Sequence, residues 1–79
     1  MSTSISIENV LATKIWFMGD NLHILLSDGR EVVTALSKFP RLLKATDKQR
    51  QNWRFIGKGR GIHWSDIDED ISVVALLKY

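Results

Sequence analysis

The Asp28-Gly29 pair is the feature that most constrains the fold of this 79-residue chain. Glycine adopts a positive φ without steric cost, and an Asp-Gly pair between apolar runs is typical of a type I′ β-hairpin. From Val10 to Leu36, β-branched and aromatic residues alternate with other types, and a turn is expected at residues 19–21. The sequence therefore predicts a three-stranded antiparallel meander whose third strand covers Glu31–Leu36.

Short helices are expected in the second half of the chain. Pro40 suits a first helical position, where its missing N–H is not needed. Thr46 and Gln49 match the capping box S/T-x-x-E/Q, which predicts a helix from Thr46 to about Asn52. Ser72 is placed to cap a last short helix.

A second hairpin is expected after the capping-box helix. Trp53–Ile56 and Ile62–Trp64 have extended patterns and flank the glycine-rich run 57–61, whereas Ser65–Asp70 is interpreted as a polar loop. We therefore predict an α+β fold: a small, mainly antiparallel sheet, made of a three-stranded meander plus a second hairpin, with two or three short helices. One domain is expected over 1–79, with 1–9 as a loose N-terminal segment.

Composition narrows the location of the protein. The chain has no cysteine, so it forms neither a disulfide nor a thiolate site. No apolar run reaches the roughly 18–20 residues that span a bilayer, and Met1–Glu8 lacks the basic and apolar regions of a secretory signal. We expect a cytoplasmic protein with no membrane partner.

Charge is distributed unevenly along the chain. The basic segment, residues 38–60, holds eight basic side chains and one acid, a net charge of +7, and the rest carries −5. The segment is a candidate surface for a protein partner or a nucleic acid, and its candidate contacts are Arg41, Lys44, Lys48, Arg50, Arg54, Lys58 and Arg60. The acidic loop, a second candidate partner surface, consists of Asp66, Asp68, Glu69 and Asp70. Alternatively, the two regions pair within the fold, in exposed ion pairs worth at most about 1 kcal/mol each.

Motifs for enzymatic or metal chemistry are incomplete. The glycines at 57, 59 and 61 match neither the P-loop nor the dinucleotide pattern, so they indicate a hairpin tip with Lys58 and Arg60 exposed. The acids that begin at Asp66 lack the glycine and glutamate that complete a calcium loop. We predict no catalytic residue, no metal and no cofactor, and a chain that is not an enzyme.

The histidines and tryptophans are interpreted first as packing residues. His23 alternates with apolar residues on a strand and is expected to be half-buried, and a His63–Asp66 pair is conceivable. Trp64 is predicted to lie in the core. For Trp53, which sits among basic residues, core packing and base stacking are equal alternatives.

The order of the motifs resembles a known family. The segments that carry the resemblance are Leu26-Ser27-Asp28-Gly29, Phe39-Pro40-Arg41-Leu42-Leu43, Gly61-Ile62-His63-Trp64 and Asp68-Glu69-Asp70-Ile71-Ser72-Val73. From about Leu11 to Leu77 the chain is similar to the small bacterial family catalogued as domain of unknown function twenty-four forty-two. The resemblance implies a single small α+β domain, often encoded beside a second small protein in an antitoxin-like arrangement or carried on mobile elements. It implies no catalytic residues.

Two functions remain open at this point. The first is a non-enzymatic module that binds and restrains another protein, as an antitoxin does, or as an anti-CRISPR-type inhibitor of a nucleic-acid-acting complex does. Complementary charge on the two surfaces would favour rapid and specific docking. The alternative is a nucleic-acid-binding domain that uses the basic segment, whose affinity would fall steeply with salt. A homodimer formed through unpaired strand edges is a third hypothesis.

Overall fold

The computed structural model describes residues 10–77, so the predicted loose segment 1–9 lies outside the described residues. The strands, in chain order, are β1 (Ala12–Met18), β2 (Asn21–Leu26), β3 (Glu31–Ala35), β4 (Trp53–Ile56), β5 (Gly61–Trp64) and β6 (Glu69–Ser72). The helices are a 3-10 turn (Leu36–Lys38), α1 (Pro40–Leu43), α2 (Asp47–Gln51) and α3 (Val73–Leu77). Two three-stranded antiparallel sheets, ordered β1-β2-β3 and β4-β5-β6, confirm the α+β prediction. None of the helices in this part of the chain is long and apolar enough to cross a membrane.

The first sheet is the predicted meander, but its second turn differs from the prediction. The Leu26 N–H donates to the Arg30 carbonyl at 2.8 Å, and only Gly29 in the loop between them has a positive φ. The type I′ prediction is therefore wrong: residues 27–29 form a three-residue loop with glycine at the left-handed position. The main-chain N–H and the guanidinium of Arg30 both donate to the Asp28 carboxylate and hold its pKa below the ordinary value.

The second sheet has one strand more than the sequence predicted. The β4–β5 hairpin forms as expected, with Ile56 opposite Gly61 and a tip at residues 57–60. Glu69–Ser72, partly assigned to a polar loop, is instead the edge strand β6. Only Ile71 of β6 is buried, so the strand carries almost none of the apolar alternation that identifies a strand in sequence.

The helices begin where the sequence predicts. The Thr46 side-chain oxygen accepts from the Gln49 N–H at 3.1 Å, and the Gln49 side chain accepts from the Thr46 N–H at 3.0 Å, which completes the capping box before α2. Pro40 is the first residue of α1. The Ser72 hydroxyl accepts from the Ala75 N–H and caps α3.

The core lies between the two sheets. Leu22, Ile24 and Leu26 on β2 and Ile62 and Trp64 on β5 are buried, and Leu36, Leu42 and Val73 add buried side chains from the helical segments. Trp64 is fully buried, as predicted, and meets Phe17 of the first sheet edge-on with ring centroids 6.5 Å apart. Aromatic pairs in this arrangement add about 0.5–1.5 kcal/mol beyond the area that they bury.

A main-chain contact also ties the second hairpin to the first sheet. The Ala12 N–H donates to the Gly59 carbonyl at 2.7 Å. Gly59 is buried with φ +108, and a Cβ at this position would lie 2.5 Å from the Ala12 carbonyl oxygen. A glycine is required here for both space and conformation.

We expect Gly59→Ala to lower the free energy of unfolding by about 3 kcal/mol or more, because steric overlap adds to backbone strain. Gly29→Ala is the matched control, since Gly29 also has a positive φ but no atom lies within 4 Å of the place that a Cβ would occupy. That variant should lose only about 1–2 kcal/mol. Urea unfolding followed by tryptophan fluorescence measures both. Equal losses would show that the close approach to Ala12 is unimportant.

Candidate functional site

The basic segment comprises α1, α2, β4 and the tip of the β4–β5 hairpin. Six of its seven candidate contacts are exposed: Arg41, Lys44, Lys48, Arg54, Lys58 and Arg60. Arg41 and Lys44 belong to the end of α1, Lys48 to α2, and the other three to the second hairpin. The segment therefore presents charge from both its helical part and its hairpin.

Arg50 is the exception, because its side chain is used inside the fold. Its Nε donates to the Leu42 carbonyl at 3.0 Å and its Nη2 to the Leu43 carbonyl at 2.9 Å. Its guanidinium also lies over the Phe17 ring, 5.9 Å from the centroid. These contacts give Arg50 a structural role at the carbonyl end of α1, and we leave it out of the surface considered below.

The basic segment and the acidic loop adjoin each other without forming ion pairs. Arg41 Nη1 donates to the main-chain carbonyl of Asp68 at 2.6 Å, not to a carboxylate. The ion pairs found among residues 10–77 are His23–Glu31, Arg30–Asp28 and His63–Asp70. In the described part of the chain, then, no lysine or arginine of the basic segment is neutralised by the acidic loop.

The acidic loop is divided between a turn and a strand. Asp66 and Asp68 lie in the turn between β5 and β6, whereas Glu69 and Asp70 belong to β6. The Asn52 amide donates to the Asp66 carboxylate at 3.1 Å. Asp68 has φ +52, a left-handed conformation that aspartate tolerates better than most residues.

His63 pairs with Asp70 and not with Asp66, the partner considered from the sequence. The register of β5 and β6 places His63 directly opposite Asp70, and the imidazole Nδ1 hydrogen-bonds to the Asp70 carboxylate. Arg54 lies opposite His63 on the other side. Because opposed residues share a face of a sheet, Arg54, His63 and Asp70 form one polar row across the outer face of the second sheet.

The remaining aromatic candidates have packing roles. Trp53 is half-buried against the core and meets Phe55 edge-on, with centroids 4.9 Å apart. His23 is half-buried, as predicted, and it stacks on Trp16 at 5.3 Å and hydrogen-bonds to Glu31. Trp53 lies opposite Trp64 on the core side of the second sheet, whereas Arg54 lies on the outer side. Base stacking on the partly exposed Trp53 ring stays a prediction.

We expect Arg50→Lys to lower the free energy of unfolding by about 1–2 kcal/mol, because an ammonium cannot reproduce two hydrogen bonds from a planar fork. Arg54→Lys is the control, since it makes the same change on an exposed side chain and should stay within about 0.5 kcal/mol. Thermal and urea unfolding measure the difference. If the two variants lose the same stability, the internal role of the Arg50 guanidinium is refuted.

Comparisons with known proteins identify the family and the fold. A family model described as "Protein of unknown function (DUF2442)" matches residues 12–79. A crystal structure of a protein of unknown function from Rhodospirillum rubrum is similar in fold: the TM-score is 0.76, the identity is 24%, and the match covers 89% of this chain and 87% of that one. None of the curated proteins matches the chain. Because the family match spans nearly the whole sequence, the chain belongs to the DUF2442 family, as its order of motifs predicted.

Proposed function

We propose that this chain is a non-enzymatic, cytoplasmic protein-binding module that restrains its partner, in the manner of an antitoxin or of an inhibitor of a nucleic-acid-acting complex. The observation that carries the proposal is the exposed charge of the basic segment. Seven of its eight lysines and arginines are exposed, and within residues 10–77 none of the segment's cations forms an ion pair. Uncompensated charge of this kind steers association with a surface of opposite sign.

Backbone strain supports the assignment of the basic segment and the acidic loop as binding surfaces. Among the described residues, Lys58 and Asp68 are the non-glycine residues with positive φ, one at the tip of each hairpin of the second sheet. A left-handed conformation costs roughly 1–2 kcal/mol in most residues with a Cβ, such as Lys58, and less in aspartate. Glycine would fit both tips at lower cost, and strain of this kind is concentrated at functional sites.

The acidic loop supplies the complementary half of the proposed interface. Asp68 and Glu69 make no side-chain hydrogen bond or ion pair to other residues in 10–77. Their carboxylates are therefore available to a basic partner surface, including a groove that otherwise holds nucleic-acid phosphates. The proposed interface presents both signs of charge side by side, which fixes the orientation of a partner.

Neutralising the basic hairpin should weaken partner capture. We expect Arg54→Gln combined with Lys58→Asn to reduce capture from a lysate of the native host by about tenfold, chiefly through a slower association rate. Asparagine at 58 tolerates the left-handed conformation, so the fold is retained. Lys14→Gln combined with Arg30→Gln removes the same charge outside the basic segment and is the control. Affinity capture with mass spectrometry identifies the partner, and surface plasmon resonance measures the rates.

Neutralising the acidic loop should have a similar effect. Asp68→Asn combined with Glu69→Gln is expected to reduce binding of the captured partner by about tenfold, and the effect should shrink at high salt, where exposed charges are screened. Asp20→Asn combined with Glu31→Gln is the control of equal charge. Full binding by both the basic-hairpin and acidic-loop variants contradicts the proposal.

A nuclease treatment distinguishes the alternative function, a nucleic-acid-binding domain, which the exposed Arg54 and Lys58 of the basic segment favour as a second candidate. If capture is lost after nuclease treatment, and gel shifts show binding to DNA or RNA that falls steeply between two salt concentrations, the basic segment binds nucleic acid directly. Retention after nuclease treatment together with no gel shift at low salt supports the protein-binding module.

A further inference from the structure

A groove separates the two sheets on the side where their edge strands face each other. Its volume is about 640 Å³, and its walls are β3, the 3-10 turn, β6 and α3. β3 is an edge of the first sheet and β6 is an edge of the second. Within residues 10–77, therefore, the groove is bordered by one strand edge from each sheet that no other strand pairs with.

The register shows which main-chain groups of β3 point away from β2, and of the residues that carry them Val33 lines the groove. Leu26 and Leu36 donate to the carbonyls of Arg30 and Asp20, so the even-numbered residues of β3 bond to β2. In an antiparallel pair the intervening residues direct their N–H and C=O groups away from the neighbouring strand. The intervening residues of β3 are Glu31, Val33 and Ala35. No hydrogen bond from residues 10–77 reaches the outward main-chain groups of Glu31 and Val33. Ala35 is the N-cap of the 3-10 turn, so its carbonyl accepts the first bond of that turn.

The same reasoning applies to the opposite wall. The Val73 N–H donates to the Arg60 carbonyl, which makes Ile62–Ile71 a hydrogen-bonded pair and turns the main chain of Asp70 away from β5. Between the two edges the lining is mainly apolar, with Phe39, Ile71 and Leu76 as its largest apolar side chains. Val33 is 51% exposed.

We propose that this groove receives an extended segment of a protein partner, which pairs as an added strand with the free edge of β3. Unpaired N–H and C=O groups in a row are the template that strand addition uses, and pockets for alternate side chains give it specificity. A small apolar ligand would use the lining but not the row of main-chain groups. The structure therefore favours a peptide strand as the occupant.

Charge in the groove defines the partner segment further. Lys38 and Asp70 both contribute to the walls, but the Asp70 carboxylate is already bonded to His63. Lys38 makes no ion pair within residues 10–77 and is exposed. The segment that fits has alternating apolar residues facing Phe39 and Leu76 and one acidic residue opposite Lys38. The strand addition rests on the edge of β3 and shares only Lys38 with the basic segment, so either proposal can fail without the other.

The test uses a displayed library of random 12-residue linear peptides selected on the immobilised wild-type protein. The selected peptides are labelled with fluorescein, and their binding is measured by fluorescence anisotropy. We expect sequences with alternating apolar residues and an acid. Val33→Pro removes the outward N–H while it leaves the β2–β3 bonds in place, and it should weaken binding by about tenfold or more. Val33→Thr keeps the N–H and should stay within about twofold.

Two further measurements distinguish a loss of peptide binding from a loss of folding. Ala75→Arg places a bulky cation in the groove from the exposed face of α3 and should also abolish binding, whereas Ala75→Ser should not. N-methylation of alternate peptide residues should abolish binding in one phase and leave it intact in the other, since only every second amide faces β3. Full binding to Val33→Pro, tolerance of methylation at every position, or failure to select any peptide that binds better than about 1 mM overturns the proposal.

Discussion

The rest of the structure depends on the contacts of the buried Trp64 indole. It packs against Phe17 of the first sheet, and its Nε1–H donates to the Arg50 carbonyl at 3.0 Å. The Arg50 guanidinium in turn donates to the last carbonyls of α1. Moving α2 away from the second sheet would leave the Trp64 N–H buried without an acceptor, at a cost of about 1–3 kcal/mol. The Trp64–Arg50 bond and the Arg50 bonds to α1 therefore hold α1 and α2 against the second sheet. Both charged surfaces depend on that positioning, because the acidic loop follows Trp64 and the basic segment surrounds Arg50.

Local signals predicted the parts of the fold that neighbouring residues determine. The capping box at Thr46 and the glycine-rich tip between β4 and β5 need only a few consecutive residues, and both are confirmed. β6 was missed because a short edge strand with one buried side chain is stabilised by pairing with β5, which is a tertiary contact. The turn at Gly29 was assigned the wrong type because an Asp-Gly pair suits both two- and three-residue loops. In this structure the Arg30 hydrogen bonds to Asp28 are made within the three-residue loop.

The sequence predicted which charged residues make up the candidate site, but not which of their side chains face outward or which partners they contact. Arg50 and Arg54 are the same residue type four positions apart, yet one is bonded to main-chain carbonyls and the other lies on an outer sheet face. A count of charges along the chain cannot separate these two roles. The choice of Asp70 over Asp66 as the partner of His63 follows from the β5–β6 register. That register could not be read from a segment whose strand was not recognised.

The charged surfaces and the groove would contribute different properties to one complex. Exposed charges act over roughly 8–10 Å at physiological salt and impose little geometry, whereas a strand edge acts only in contact and fixes register. Lys38 belongs to both, since it begins the basic segment and lines the groove. A partner drawn in by the basic segment would therefore arrive with an acidic residue near the place where a strand can add. In such a complex the charge asymmetry would govern the rate and direction of approach, and the edge of β3, unpaired within residues 10–77, would govern which extended segment is retained.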